Sequence, residues 1–123
     1  MSFCGHRDYV YSVDLNLNDH KMVTGSQDLS ARVWDLRNTC KELLLFPSTL
    51  SAANKVKFTS KTKVAIGETI DFLHLLDYEE MSVDTQTVFG KLVGMDLTPG
   101  CHSLVWSVET FYLQGGIVTM ELL

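Results

Sequence analysis

The feature that most constrains the fold is a short strand-like pattern that recurs about every 40 residues. The triplet at 13–15 has its counterpart 43 residues later at 56–58, and that triplet has another 39 residues later at 95–97. The segments between such runs are rich in Asn, Asp, Gly and Ser, which tolerate tight turns. The pattern predicts an all-β chain built from three copies of one unit.

The predicted strands fall into two sets of four and one set of three. They are 9–15, 21–24, 31–34 and 42–46; then 55–59, 63–66, 72–76 and 82–88; then 92–97, 103–108 and 116–122. Four antiparallel strands in succession make one blade of a β-propeller, and this repeat length is typical of that fold. We therefore predict a partial β-propeller of about three blades within residues 1–123. Blade 1 covers about 5–47, blade 2 about 51–89, and an incomplete blade 3 about 90–123.

A more specific signature lies in the first repeat. Gly5 and His6 precede its first strand, Thr-Gly-Ser-Gln-Asp at 24–28 ends its second strand, and Trp34 and Asp35 end its third. Together and at this spacing, these residues resemble the WD-repeat family. The resemblance implies propeller blades that act as an interaction scaffold. Gly25 is expected to permit a backbone conformation that a side chain would oppose.

The resemblance also implies a hydrogen-bonded network inside the first blade. His6, Asp28, a strand hydroxyl and Trp34 would form one chain, with Ser26 preferred over Thr24 as the hydroxyl. Asp28 would orient the imidazole, and the indole N–H would donate to the hydroxyl. A buried network of this kind is stabilising only when every member has a partner. We therefore interpret His6 and Asp28 as structural and predict no catalytic residue.

The second and third repeats lack most of this signature. Leu76 stands at the Trp34 position and no counterpart of His6 is recognisable, although Asp77 matches Asp35 as a repeat-ending aspartate. Asp71 lies one place away from the position that matches Asp28. We expect these blades to be held by packing without a polar network. From about 9 to 122 the chain also resembles the C-terminal blades of little-characterised fungal and plant WD-repeat proteins, which implies a truncated relative.

Loops at one end of the blades are the predicted partner-binding elements, because propellers present binding residues on loops carried by a rigid scaffold. The predicted binding residues are Arg7, Asp8, Tyr9, Gln27, Leu29, Glu68 and Asp71. The predicted function is a non-catalytic protein–protein interaction or scaffold module. Two alternatives stay open: a truncated or vestigial propeller fragment without independent function, and an uncharacterised enzyme.

Composition excludes other classes of partner. The net charge is −5 and the 10 Lys and Arg residues form no cluster, which argues against binding to a nucleic-acid backbone. No apolar run approaches the roughly 20 residues that span a bilayer, and no signal peptide is recognisable. The three cysteines show no disulfide or metal-ligand spacing. We expect an intracellular protein, cytoplasmic or nuclear, with no cofactor or metal. Its partners would be proteins, with self-association that completes the propeller as a further option.

Overall fold

The computed structural model describes residues 3–38, 41–101, 103–109 and 115–121. In these residues the secondary structure consists of β-strands and one short 3-10 turn at Pro99–Cys101, with no α-helix. The strands are β1 (Val10–Asn16), β2 (Lys21–Ser26), β3 (Ser30–Asp35), β4 (Leu44–Pro47), β5 (Ala53–Phe58), β6 (Lys63–Glu68), β7 (Ile70–Asp77), β8 (Ser82–Leu97), β9 (Ser103–Glu109) and β10 (Gly115–Glu121). The all-β prediction is confirmed. The predicted end of the last strand at Leu122 lies outside the described residues.

Consecutive strands pair antiparallel in two sheets. Strands β1 to β4 form a four-stranded sheet in chain order, and β5 to β10 form a six-stranded sheet in chain order. Among the described residues, four non-glycine residues have a left-handed backbone, and two of them, His20 and Met81 (both φ 55°), lie in the turns before β2 and β8. The other two are Leu29 (φ 65°) before β3 and Asp71 (φ 68°) in β7. These residues are 42 positions apart, so the same turn geometry recurs at the repeat distance. Within the described part of the chain, no helix has the length and apolarity needed to cross a bilayer.

Strand β8 carries the chain from one unit to the next. Residues 82–87 pair with β7, residues 92–97 pair with β9, and Lys91 between them pairs with both strands, through Ile70 and Glu109. The prediction of two separate strands at 82–88 and 92–97 is wrong in this respect, because the backbone stays extended across 89–91 while its pairing partner changes.

We call β1–β4 blade 1, β5–β7 with the first half of β8 blade 2, and the second half of β8 with β9 and β10 blade 3. Blade 1 and blade 2 are each a four-stranded antiparallel meander, and blade 3 contributes three strands to the described residues. The arrangement confirms the predicted partial propeller of about three blades, with the last one incomplete. The residue bounds of the predicted blades stay predictions.

Two hydrophobic clusters lie between the blades. The first joins blade 1 to blade 2, and its buried members are Val23, Ala31, Val33, Ala53, Val56, Phe58, Val64, Ile66 and Leu76. The second joins blade 2 to blade 3, and its buried members are Ala65, Leu73, Leu92, Leu104, Trp106 and Val108. Because side chains alternate along a strand, Ala65 faces one neighbouring blade while Val64 and Ile66 face the other. Blade 2 is therefore apolar on both faces.

Polar contacts also join the inner strands of adjacent blades. The amide of Val56 donates to Ser12 Oγ (3.2 Å), and the amide of Phe58 donates to Asp14 Oδ2 (2.8 Å). These side chains of β1 satisfy amides on the free edge of β5, which would otherwise lack a partner inside the sheet. Blade 1 thus supplies acceptors to the first strand of blade 2.

Candidate interaction site

A polar network locks the entry to blade 1. The imidazole of His6 contacts Asp28 Oδ2 through Nδ1 (2.9 Å) and Thr24 Oγ1 through Nε2 (2.6 Å). The indole Nε1 of Trp34 donates to the same Thr24 oxygen (2.9 Å). Thr24 and Trp34 are buried. Both nitrogens of the imidazole therefore have partners within the blade, which suits a structural role better than proton exchange with a substrate.

The hydroxyl of this network belongs to Thr24, so the prediction that Ser26 supplies it is wrong. Both residues point to the same face of β2, because they are two positions apart. The strand register decides between them. Thr24 lies opposite Arg32, one diagonal step from Trp34, whereas Ser26 lies opposite Ser30 at the hairpin end.

Ser26 has a different role, which is to hold the chain that enters β1. Its hydroxyl donates to the carbonyl of Tyr9 (2.8 Å) and accepts the amide of Asp28 (3.1 Å). The amide of Gln27 also donates to the carbonyl of Tyr9 (2.9 Å), and the amide of Arg7 donates to Asp28 Oδ2 (3.0 Å). Two loops far apart in sequence, 6–9 and 26–29, are therefore fixed against each other.

Asp28 is ionised in this setting. Burial opposes its charge, but hydrogen bonds from the Ser30 hydroxyl, the Arg7 amide and His6 outweigh that penalty and lower the pKa of Asp28 to about 2. The carboxylate can therefore accept three hydrogen bonds at neutral pH. The loops depend on its charge for their position.

Five of the predicted binding residues lie together on the exposed side of these loops: Arg7, Asp8, Tyr9, Gln27 and Leu29. Two of them expose large apolar groups, since Tyr9 is 74% and Leu29 50% accessible. Leu29 also has a left-handed backbone, which costs a side-chain-bearing residue on the order of 1–2 kcal/mol. Met81, at the opposite end of blade 2, combines the same left-handed backbone with an exposed apolar side chain, so what distinguishes the Tyr9 and Leu29 surface is the pair of loops that the network holds together.

Glu68 does not belong to this surface, and its prediction as a binding residue is wrong. It is wholly buried as the last residue of β6. Its carboxylate accepts the amides of Thr49, Leu50 and Ser51, each at 2.8 Å, and contacts His74 Nε2. A glutamate beside a turn is usually exposed, which is why the sequence alone favours a surface role. Here it secures the loop that joins blade 1 to blade 2. Asp71, half-buried in the equivalent turn of blade 2, remains at the same end of the blades as Leu29.

Blade 2 therefore has a polar network of its own, contrary to the expectation that packing alone holds it. His74, also fully buried, contacts Glu68 through Nε2 and Thr85 Oγ1 through Nδ1 (2.9 Å). Burial opposes the charge of Glu68, but hydrogen bonds from His74 and the three amides hold the pKa of this carboxyl below its usual value. Glu68 lies 42 residues after Ser26, and both residues fix the loop that enters their blade. That shared position is the signal by which the sequence could have revealed Glu68.

The two repeat-ending aspartates each support the turn after the third strand of a blade. Asp35 Oδ1 accepts the amide of Arg37 (2.9 Å), and Asp77 Oδ1 accepts the amides of Glu79 and Glu80 (both 3.1 Å). A carboxylate that binds the amide two residues ahead stabilises a turn locally. Both aspartates lie at the opposite end of the strands from Tyr9 and Leu29. Among the described residues, no three potential metal ligands form a cluster.

Comparison with known proteins places the fold. No protein-family model matches the chain, and no curated protein matches it in sequence. The fold does match solved structures. A chain of the crystal structure of a mitotic checkpoint complex superposes on 98% of this chain with a TM-score of 0.82, at 12% sequence identity. The C-terminal WD40 domain of Sif2 superposes with a TM-score of 0.84 at 12% identity over 97%.

These likenesses show that the chain has the fold of part of a WD40 β-propeller. The chain spans 40% and 33% of the lengths of those two structures. The narrower likeness to fungal and plant WD-repeat proteins stays a prediction.

Proposed function

We propose that this chain is a non-catalytic interaction module that binds a protein partner through the loops 6–9 and 26–29. The observation that carries the proposal is the exposure of Tyr9 and Leu29 on two loops that a buried network holds in place. Rigid aromatic and apolar side chains lose little conformational entropy on binding, so they are favourable anchors. One WD40 structure with a similar fold comes from a multi-protein complex, which supports a protein partner.

Exposed polar and charged side chains surround the two apolar anchors. Arg7 and Gln27 are exposed beside Tyr9, and arginine is favoured at binding surfaces because its guanidinium can donate to carboxylates and stack on aromatic rings. Asp71 lies at the same end of blade 2 and extends the surface toward the neighbouring blade. This combination suits a partner segment that offers an apolar side chain flanked by polar groups.

The test is a comparison of captured proteins with a matched control. Tyr9→Ala combined with Leu29→Asn removes both apolar anchors, and asparagine tolerates the left-handed turn. Met81→Ala is the control, because Met81 is an exposed apolar residue in the turn at the opposite end of blade 2. After cross-linking in cells and quantitative mass spectrometry, we expect a partner retained by the wild type and the control but lost from the double variant. Identical protein sets for all three forms would contradict the proposal.

We also propose that the chain self-associates to complete a propeller and that it acts inside the cell. Self-association is supported by the apolar residues of β1 that no described residue covers. The intracellular location is supported by the dispersed cysteines and is tested by microscopy of the tagged chain.

A further inference from the structure

The first strand of blade 1 has the side chains of an inter-blade surface, but no neighbour covers them in the part of the chain that the structure describes. Val13 and Leu15 are 58% and 50% accessible, whereas their counterparts in blade 2, Val56 and Phe58, are 5% and 8% accessible against blade 1. The two pairs occupy the same register positions, 43 residues apart. The face of β1 that points away from blade 2 is therefore built like a face that is buried elsewhere in the same chain.

Blade 3 also has a face, on the side away from blade 2, that no described residue covers. Leu104, Trp106 and Val108 are buried against blade 2, so the alternate residues of β9 point away from it. On that outer face Ser107 pairs with Gly94 of β8 and with Ile117 of β10, and Ile117 is 78% accessible. Ser107 and Ile117, together with Val93, line a shallow groove with a largely apolar lining.

The two uncovered faces carry complementary hydrogen-bonding groups. In the observed contact between blade 1 and blade 2, Asp14 accepts the amide of Phe58. The register counterpart of Asp14 in blade 3 is Asp96, whose side chain is largely exposed; among the described residues it contacts Lys57 across the blades (3.1 Å) and the neighbouring amide of Leu97. The register counterpart of Phe58 in blade 1 is Leu15. Asp96 of one molecule is thus placed to accept the Leu15 amide of another.

We infer that the chain forms a head-to-tail dimer in which blade 1 of each copy packs on blade 3 of the other. This inference rests on the self-association proposed above and names its surfaces. Two copies of about three blades make a ring of about six, which lies within the range of closed propellers. A head-to-tail contact closes into a ring only when the rotations of the subunits add to a full turn, and otherwise it gives an open filament. A face-to-face pairing of two β1 strands would instead leave Asp96 and Ile117 uncovered.

The first experiment measures the solution mass of the full 123-residue chain and of three variants by light scattering. Val13→Asp and Ile117→Asp each place a charge on one of the two faces. Met81→Asp is the matched control, because Met81 is equally exposed and apolar but lies in a turn outside both faces. We expect twice the chain mass for the wild type and the control, and the single-chain mass for the two face variants, with cooperative melting for all four.

The second experiment mixes the two face variants in equal amounts. Val13→Asp retains an intact blade 3 face and Ile117→Asp retains an intact blade 1 face, so one of the two junctions can form. We expect a mixed dimer that neither variant forms alone and that dissociates at a higher concentration than the wild type. If Ile117→Asp stays dimeric by itself, the head-to-tail geometry is wrong but self-association stands. A monomeric, cooperatively melting wild type overturns both, and a mass above the dimer overturns the closed ring.

Discussion

Replacement of Glu68 by glutamine tests whether blade 2 depends on a buried carboxylate. The side chain keeps its shape but loses its charge and one of its two acceptor oxygens. One carboxylate oxygen accepts two amides of 49–51 and the other accepts the third amide and faces His74, so at least two hydrogen bonds lose their acceptor. Hydrogen bonds to charged groups contribute about 1.5–3 kcal/mol each. We expect Glu68→Gln to lower the free energy of unfolding by about 3–5 kcal/mol.

This loss would be a large share of the roughly 5–15 kcal/mol that typically stabilises a domain. Urea unfolding followed by circular dichroism, at one protein concentration and neutral pH, gives the measurement. Glu80→Gln is the control, because Glu80 is exposed in the turn after β7 and such changes usually stay within about 0.5 kcal/mol. If Glu68→Gln is as stable as the control, the amides of 49–51 do not depend on the carboxylate, and the account of blade 2 fails.

Three further predictions concern blade 1 and its contacts. Thr24→Val leaves the indole N–H of Trp34 and one imidazole nitrogen without a partner, so we expect a loss of about 2–4 kcal/mol in urea unfolding, while Thr24→Ser should lose less than about 1 kcal/mol. Gly25→Ala places a Cβ 2.6 Å from a backbone carbonyl oxygen of β5, so we expect it to lower the free energy of unfolding by about 1–3 kcal/mol. Gly116→Ala is its control, because a Cβ there meets nothing within 4 Å and should leave stability unchanged. Equal stabilities of the two variants would refute the close approach at Gly25. Because the folded pKa of Asp28, about 2, lies below its ordinary value of 3.8, its stabilisation is present above pH 4 and is lost as pH falls toward 2. The melting temperature of Asp28→Asn should therefore fall less steeply than that of the wild type over this range, and parallel curves would contradict the assignment.

Much of the fold is predictable because strand and turn signals are local. Alternation of side chains and turn-forming residues predict the strands, and the recurrence of 13–15 at 56–58 and 95–97 predicts the blades. The pairing of His6, Asp28 and Trp34 follows from a family resemblance that spans one repeat. These features need no knowledge of which residues meet across the sheet.

The errors arise where the result depends on register or burial. Thr24 and Ser26 share a face of β2, and only the cross-strand pairing decides which hydroxyl meets Trp34. Glu68 is buried because three amides and His74 converge on it, which no local pattern reveals. The reason for Gly25 is also wrong. The sequence predicts a backbone conformation that a side chain would oppose, but Gly25 has no left-handed backbone in the structure. It is needed because the carbonyl of Ala53 passes too close for a side chain.

The most direct test of the central claim is the dissociation constant between the purified chain and the partner most strongly captured by it. Removal of an interface anchor typically costs about 1–4 kcal/mol, which is roughly tenfold or more in affinity. We predict that Tyr9→Ala with Leu29→Asn raises the dissociation constant at least about tenfold at unchanged melting temperature, while Met81→Ala leaves it unaltered. An unchanged dissociation constant for the double variant would show that the loops 6–9 and 26–29 are not the binding surface.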